Sequence, residues 1–137
     1  MITLTVSHLA KIFAFAREAA PTECCGLIGG KGELAATLYP MRNVAGNAEV
    51  SYEAAPEDLF AAQRQMRDRG EELLAIYHSH PRAIDPQPSE TDVRLAYYPH
   101  AIYFIVGLAG AQPAMRAFKI FEADGCWAEV EYAVAGE

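Results

Sequence analysis

Residues 78–92 read HSHPRAIDPQPSETD, and the fold can be read outward from them. The apolar run from Leu73 leads into His78 and stops at Pro81, the pattern of a buried strand that ends at His80. Side chains two apart on a strand share a face, so the two imidazoles point the same way. Pro86 and Pro88 stiffen the loop that follows, and a short helix is predicted to start at Ser89 with Asp92 in its first turn.

Upstream, Ser7 precedes Leu9, Ile12, Phe13 and Ala16, the stripe of an amphipathic helix with a serine cap that ends before Pro21. Cys24 to Gly30 and Leu34 to Tyr39 read as a hairpin, which leaves Glu23 at the entrance to its first strand. The glycine-rich GLIGG, residues 26–30, lacks the lysine and hydroxyl residue of a phosphate loop and is assigned to a turn. A second helix is predicted from Pro56 through Leu59, Phe60 and Met66 to a stop at Gly70. Downstream, Ala101–Leu108, Ala114–Phe121 and Trp127–Val134 suggest a closing meander of antiparallel strands. The expected architecture is α/β (α+β), one mixed β-sheet flanked by helices.

At 137 residues, the chain is expected to form one domain, residues 1–137. A hydrophobic fraction of 52% with 21% charged residues suits a chain that folds by itself. The net charge of −7 argues against a nucleic-acid partner. Arg64, Arg67 and Arg69 alternate with acidic and amide residues, as on a solvated helix face. No apolar run is long enough for a bilayer and no leader pattern opens the chain, so no membrane partner and a cytoplasmic location are expected. Cys24, Cys25 and Cys126 form neither a disulfide framework nor a CxxC zinc pattern, and they fit a reducing compartment.

Two imidazoles and a carboxylate are donors that suit Zn²⁺, and a catalytic zinc site takes three protein ligands while leaving a fourth position open. His78 and His80 supply the nitrogens and Asp92 can supply the oxygen. Ser89 and Asp92 also satisfy the SxxD capping box, and capping alone would explain that pair. It leaves unexplained why two of only four histidines stand at strand spacing just before the stiff loop. The two roles are compatible, because a cap at Ser89 would help to aim Asp92.

These residues resemble the JAMM or MPN-plus (JAB domain) zinc metalloproteases of compact prokaryotic type. That signature is an upstream glutamate, then HSH or HTH, usually seven residues, then SxxD. Eight residues, Pro81 to Pro88, stand in the gap here. PTECCGLIGG, residues 21–30, resembles the family's glutamate-bearing strand, and YYPHAIYFIV, residues 97–106, the strand after the motif. The resemblance implies an MPN/JAB-like fold similar to the cytidine-deaminase-like three-layer arrangement. It implies one zinc on His78, His80 and Asp92 with a catalytic water, Glu23 as general base, and Ser89 as donor to the developing oxyanion. The implied activity is a peptidase or isopeptidase cutting after the Gly-Gly end of a ubiquitin-like or sulfur-carrier protein.

Three alternatives share the frame. A RadC-like DNA-repair-associated protein usually reads HNHPSG where this chain reads HSHPRA. A cell-wall or phage-tail peptidase is generally fused to a second domain, and a metal-free MPN scaffold does not need all of Glu23, His78, His80 and Asp92. Cys25 reads as a small buried hydrophobe, while His8 and His100 read as surface or structural histidines.

Overall fold

The computed structural model describes residues 1–136. Its frame is one mixed sheet of eight strands: β1 (Thr3–Thr5), β2 (Cys25–Lys31), β3 (Leu34–Met41), β4 (Glu72–His80), β5 (Ile102–Gly107), β6 (Ala114–Phe121), β7 (Cys126–Val130) and β8 (Ala133–Ala135). The strand order is β7-β6-β5-β4-β2-β3-β1-β8. Strand β4 is central, antiparallel to β2 and parallel to β5, and β5, β6 and β7 form the expected antiparallel meander.

Period-two alternation along β4 builds a three-layer arrangement. Ala75 and Tyr77 face the cluster that takes Ile12, Ala16 and Phe13 of helix α1 (Val6–Ala19). Ile76 faces the opposite cluster with Ala62 and Met66 of α2 (Pro56–Arg69). His78 and His80 continue this second face, which the short helix α3 (Glu90–Arg94) also covers. The expected mixed sheet flanked by helices, in three layers, is therefore the one observed. Among the described residues no helix is long and apolar enough to cross a membrane.

Several local expectations need correction. The cap of α1 is Thr5, not Ser7: Thr5 is extended and its side chain accepts the His8 N–H, while His8 Nδ1 accepts the Thr5 N–H. Ser7 lies inside the helix and is exposed. GLIGG is no turn. It lies within β2 between β3 and β4, and glycine is needed at 26 because a Cβ there would collide with the ring of Tyr77. In α2, Phe60 points outward at 62% exposure, because the buried stripe runs through Ala62 and Met66. The last predicted strand is two: β7 stops at Val130, and β8 pairs in parallel with β1 at the far edge. The three-residue β1 is too short to show a pattern in sequence.

The cap correction is testable by thermal unfolding. Thr5→Ala should cost about 1 kcal/mol, because it leaves the His8 N–H without its side-chain acceptor, and Ser7→Ala should change stability little.

Candidate active site

The sheet ends where β4 meets the loop 81–88, and there the side chains singled out in the sequence converge. His78 Nε2 lies 3.1 Å from His80 Nε2, and Asp92 Oδ2 lies 3.1 Å from the first and 3.0 Å from the second. His78 is fully buried, and Asp92 is 7% exposed. Glu23 joins from the residue ahead of Cys24 and β2. Ligand atoms of Glu23, His78 and His80 all lie within 4.8 Å of one another.

Local structure explains the aim of each group. Ser89 caps α3 by accepting the Asp92 N–H at 3.0 Å, and Asp92 Oδ2 accepts the Ser89 N–H at 2.9 Å. The same Oδ2 faces both imidazoles, so the capping box and the polar cluster share one oxygen. The loop that joins His80 to Ser89 is held from below. The Arg116 guanidinium donates to Asp85 Oδ1 at 2.8 Å and to the Pro86 carbonyl at 3.3 Å, while also pairing with Glu129. Gly107 is the seat of that loop: a Cβ there would come 2.6 Å from the Ala83 carbonyl oxygen and 3.0 Å from Pro86 Cδ.

Three contributors carried no signal in the sequence. Tyr52 stacks on His78 with ring centroids 4.4 Å apart. Asn43 donates to the carbonyls of Glu23, Ala48 and Ser51 and accepts the N–H groups of Ala45 and Glu53, which ties the loop before α2 to the glutamate. Ser79 faces away from the cluster, and its hydroxyl accepts the Cys24 N–H at 2.8 Å, fixing the start of β2 beside β4. Tyr52 and Asn43 stand in no recognisable motif, and although Ser79 is the middle residue of the HSH triplet, its bond to Cys24 is made across the sheet and could not be read from that spacing.

The two carboxyls are driven apart. For Asp92, burial opposes ionisation, but attraction to His78 and hydrogen bonds from His78, His80 and the Ser89 N–H outweigh it and hold the group well below the usual range. For Glu23, burial dominates and the nearby Asp92 adds to it, against an opposing pull from His80, so its pKa rises to about 8. Its Oε1 is buried with no hydrogen-bond partner among the described residues. His80 is disfavoured as a cation by burial, yet its bond to Asp92 raises its pKa on balance. Cys24 and Cys25 are both buried, and desolvation first of all lifts them to about 11 and about 12, so neither is a thiolate at neutral pH.

Residues 5–121 match the family of prokaryotic homologs of the JAB domain, and the chain belongs to that family. It is 32% identical over 119 residues to a desampylase of Haloferax volcanii, covering 82% of this chain and 85% of the relative. It is 36% identical over 112 residues to a CysO-cysteine peptidase of Mycobacterium tuberculosis, covering 80% of this chain and 75% of the relative. A solution structure of a protein from Desulfitobacterium hafniense superposes with a TM-score of 0.87 at 33% identity, covering 100% of this chain and 94% of the other.

The raised Glu23 pKa makes a stability prediction for the metal-free protein. Below about pH 4 the carboxyl is protonated whether folded or unfolded, and folding carries no penalty from it. As pH rises from 4.5, its ordinary value, towards about 8, the unfolded chain releases a proton that the folded chain keeps. Stability is lost across that window and levels off above it. Glu23→Gln should therefore raise the melting temperature by at least a few degrees at pH 8, with little change at pH 4. An equal gain at both pH values would show that packing rather than charge is responsible.

Proposed function

We propose that this chain is a zinc metallopeptidase that hydrolyses the amide bond after the Gly-Gly end of a ubiquitin-like or sulfur-carrier protein. The observation that carries the reading is the Asp92 carboxylate set about 3 Å from both histidine nitrogens, beside a buried glutamate oxygen that has no partner. The names of the desampylase and the CysO-cysteine peptidase support the substrate class.

The donor set fits zinc. Bonds of about 2.0–2.2 Å in a tetrahedral site separate the ligand atoms by roughly 3.3 Å, close to the observed spacing of His78, His80 and Asp92. A Glu23–His78–His80 set is the competing choice, but Asp92 lies about 3 Å from both imidazoles and is held ionised, whereas burial raises the proton affinity of Glu23 to about 8. We therefore assign one zinc per chain to His78, His80 and Asp92, with Glu23 as the proton carrier. The chemistry that zinc supplies in such a set is Lewis acidity towards a carbonyl and towards water.

The chain's own residues supply the rest. Glu23 takes a proton from the attacking water at its buried carboxylate and later gives it to the departing amine. With an affinity for protons suited to neutral pH, it can do both. Ser89 accepts the Asp92 N–H through Oγ, which leaves its hydroxyl hydrogen free to donate to the oxygen that gains charge as the carbonyl is attacked. Tyr52 and the buried start of β2 shield the cluster from bulk water on one side. Three free thiols are consistent with the cytoplasmic location we assign.

Purified without chelator, the protein should hold about one zinc per chain by elemental analysis, and Asp92→Ala should lose it. Retention of zinc by a His78→Ala, His80→Ala double variant would overturn the ligand set. Glu23→Gln should keep zinc and lose most hydrolysis, while Ser89→Ala should keep zinc and lose about 10²-fold or more in turnover.

The substrate class is tested separately by mass spectrometry of a carrier extended beyond its glycine pair. Trimming should stop at the second glycine, and replacing that glycine with valine should sharply slow it, because a Cβ blocks close approach to the site. Equal cleavage of the valine form would exclude this specificity.

A further inference from the structure

Beside the polar cluster, between α2 and α3, a cavity of about 270 Å³ opens on the face of the sheet that carries His78. Its floor is apolar, formed by Cys25, Leu27 and Ile76, with Leu59 of α2 as one side. Two of its walls are Asp92 and Tyr52, so it is continuous with the site described above. At its margin Leu95 and Tyr97 are 41% and 70% exposed, an apolar edge left in water. The margin is anchored, since the Tyr98 N–H donates to the hydroxyl of the buried Tyr103.

We propose that this cavity is the subsite for the side chain of the residue that precedes the glycine pair, and that it takes an apolar side chain of leucine to aromatic size. The inference rests on the peptidase reading above and adds to it a requirement on the carrier's tail. Pockets for drug-sized ligands measure roughly 300–1,000 Å³, so this smaller cavity suits a single large side chain rather than a cofactor. Glycines have no side chain to fill it. The departing amine receives its proton from Glu23, so the released fragment lies on the Glu23 side. Glu23 and His80 are not among the residues that line the cavity, and Asp92 and Tyr52 are, which puts it on the acyl side of the scissile bond. Two extended residues span roughly 7 Å, so the first side chain that can enter a pocket walled by Asp92 is the one before the glycine pair.

The test compares carriers ending in X-Gly-Gly plus an extension, with X as Phe, Leu, Ala or Asp, and a second set that varies the residue after the glycines. In parallel, calorimetry measures binding of short peptides ending in X-Gly-Gly to the zinc-loaded Glu23→Gln protein. Phe and Leu should exceed Asp by roughly 10- to 100-fold in kcat/KM and in affinity, the discrimination available from burying one large apolar side chain. Leu59→Trp, which fills the cavity, should collapse the Phe-to-Ala ratio towards one. Leu59→Ala, which enlarges it, should move the preference towards Trp, and this arm decides the matter if the Trp variant fails to fold by circular dichroism. Equal handling of Phe and Asp in both assays, selectivity that follows the residue after the glycines, or selectivity untouched by both Leu59 variants would overturn the proposal. Failure to cleave any carrier would count against the peptidase reading alone, because the binding preference and its loss in Leu59→Trp still report on the cavity.

Discussion

One oxygen organises this protein's chemistry. Asp92 Oδ2 accepts from the backbone at the start of α3 and faces the nitrogens of both histidines from the end of β4. A strand end and a helix start are thereby held at contact distance by a group that also has to be ionised. A buried carboxylate is stable only with several charge-assisted partners, and this one has three. Removing it would strip both imidazoles of their nearest carboxylate partner and would free the first turn of the helix.

The second consequence is the division of labour between two carboxyls. Asp92 and Glu23 are both nearly inaccessible, yet one is held ionised and the other is driven towards its neutral form. Burial is the largest influence on each. The difference comes from partners: Asp92 has the imidazoles and a backbone N–H, while one Glu23 oxygen has none. Pairs of titratable groups pushed apart in this way let one site hold a fixed anion beside a group that can exchange a proton near neutral pH.

Precision of this kind needs rigid support, and the support comes from distant parts of the chain. Arg116 on β6 and Gly107 on β5 hold the loop between β4 and α3, while Asn43 gathers the loop before α2 around the Glu23 carbonyl. The parallel pairing of β4 with β5 brings Gly107 beside His80. The proline-rich loop, with one residue more than the motif usually carries, is anchored at Ala83, Asp85 and Pro86, and Asp92 beyond it lies about 3 Å from both histidine nitrogens.

The short-range features of this protein were open to reading from the sequence alone. Strand spacing put His78 and His80 on one face, the serine-aspartate spacing marked the start of α3, and Pro56 and Gly70 bounded α2, because each depends on contacts within a few residues. The motif named the family for the same reason. What tertiary structure decided lies in contacts between residues far apart in the chain. Whether Thr5 or Ser7 caps α1, whether GLIGG turns or pairs, and where β8 goes depend on strands contributed from elsewhere. The stacking of Tyr52, the seat at Gly107, the clamp by Arg116 and the cavity beside Asp92 are likewise products of packing. Local spacing encodes which groups are donors; only the assembled sheet fixes their separations to about 3 Å and sets the two carboxyls in opposite states, because burial and long-range partners exist only once the chain has folded.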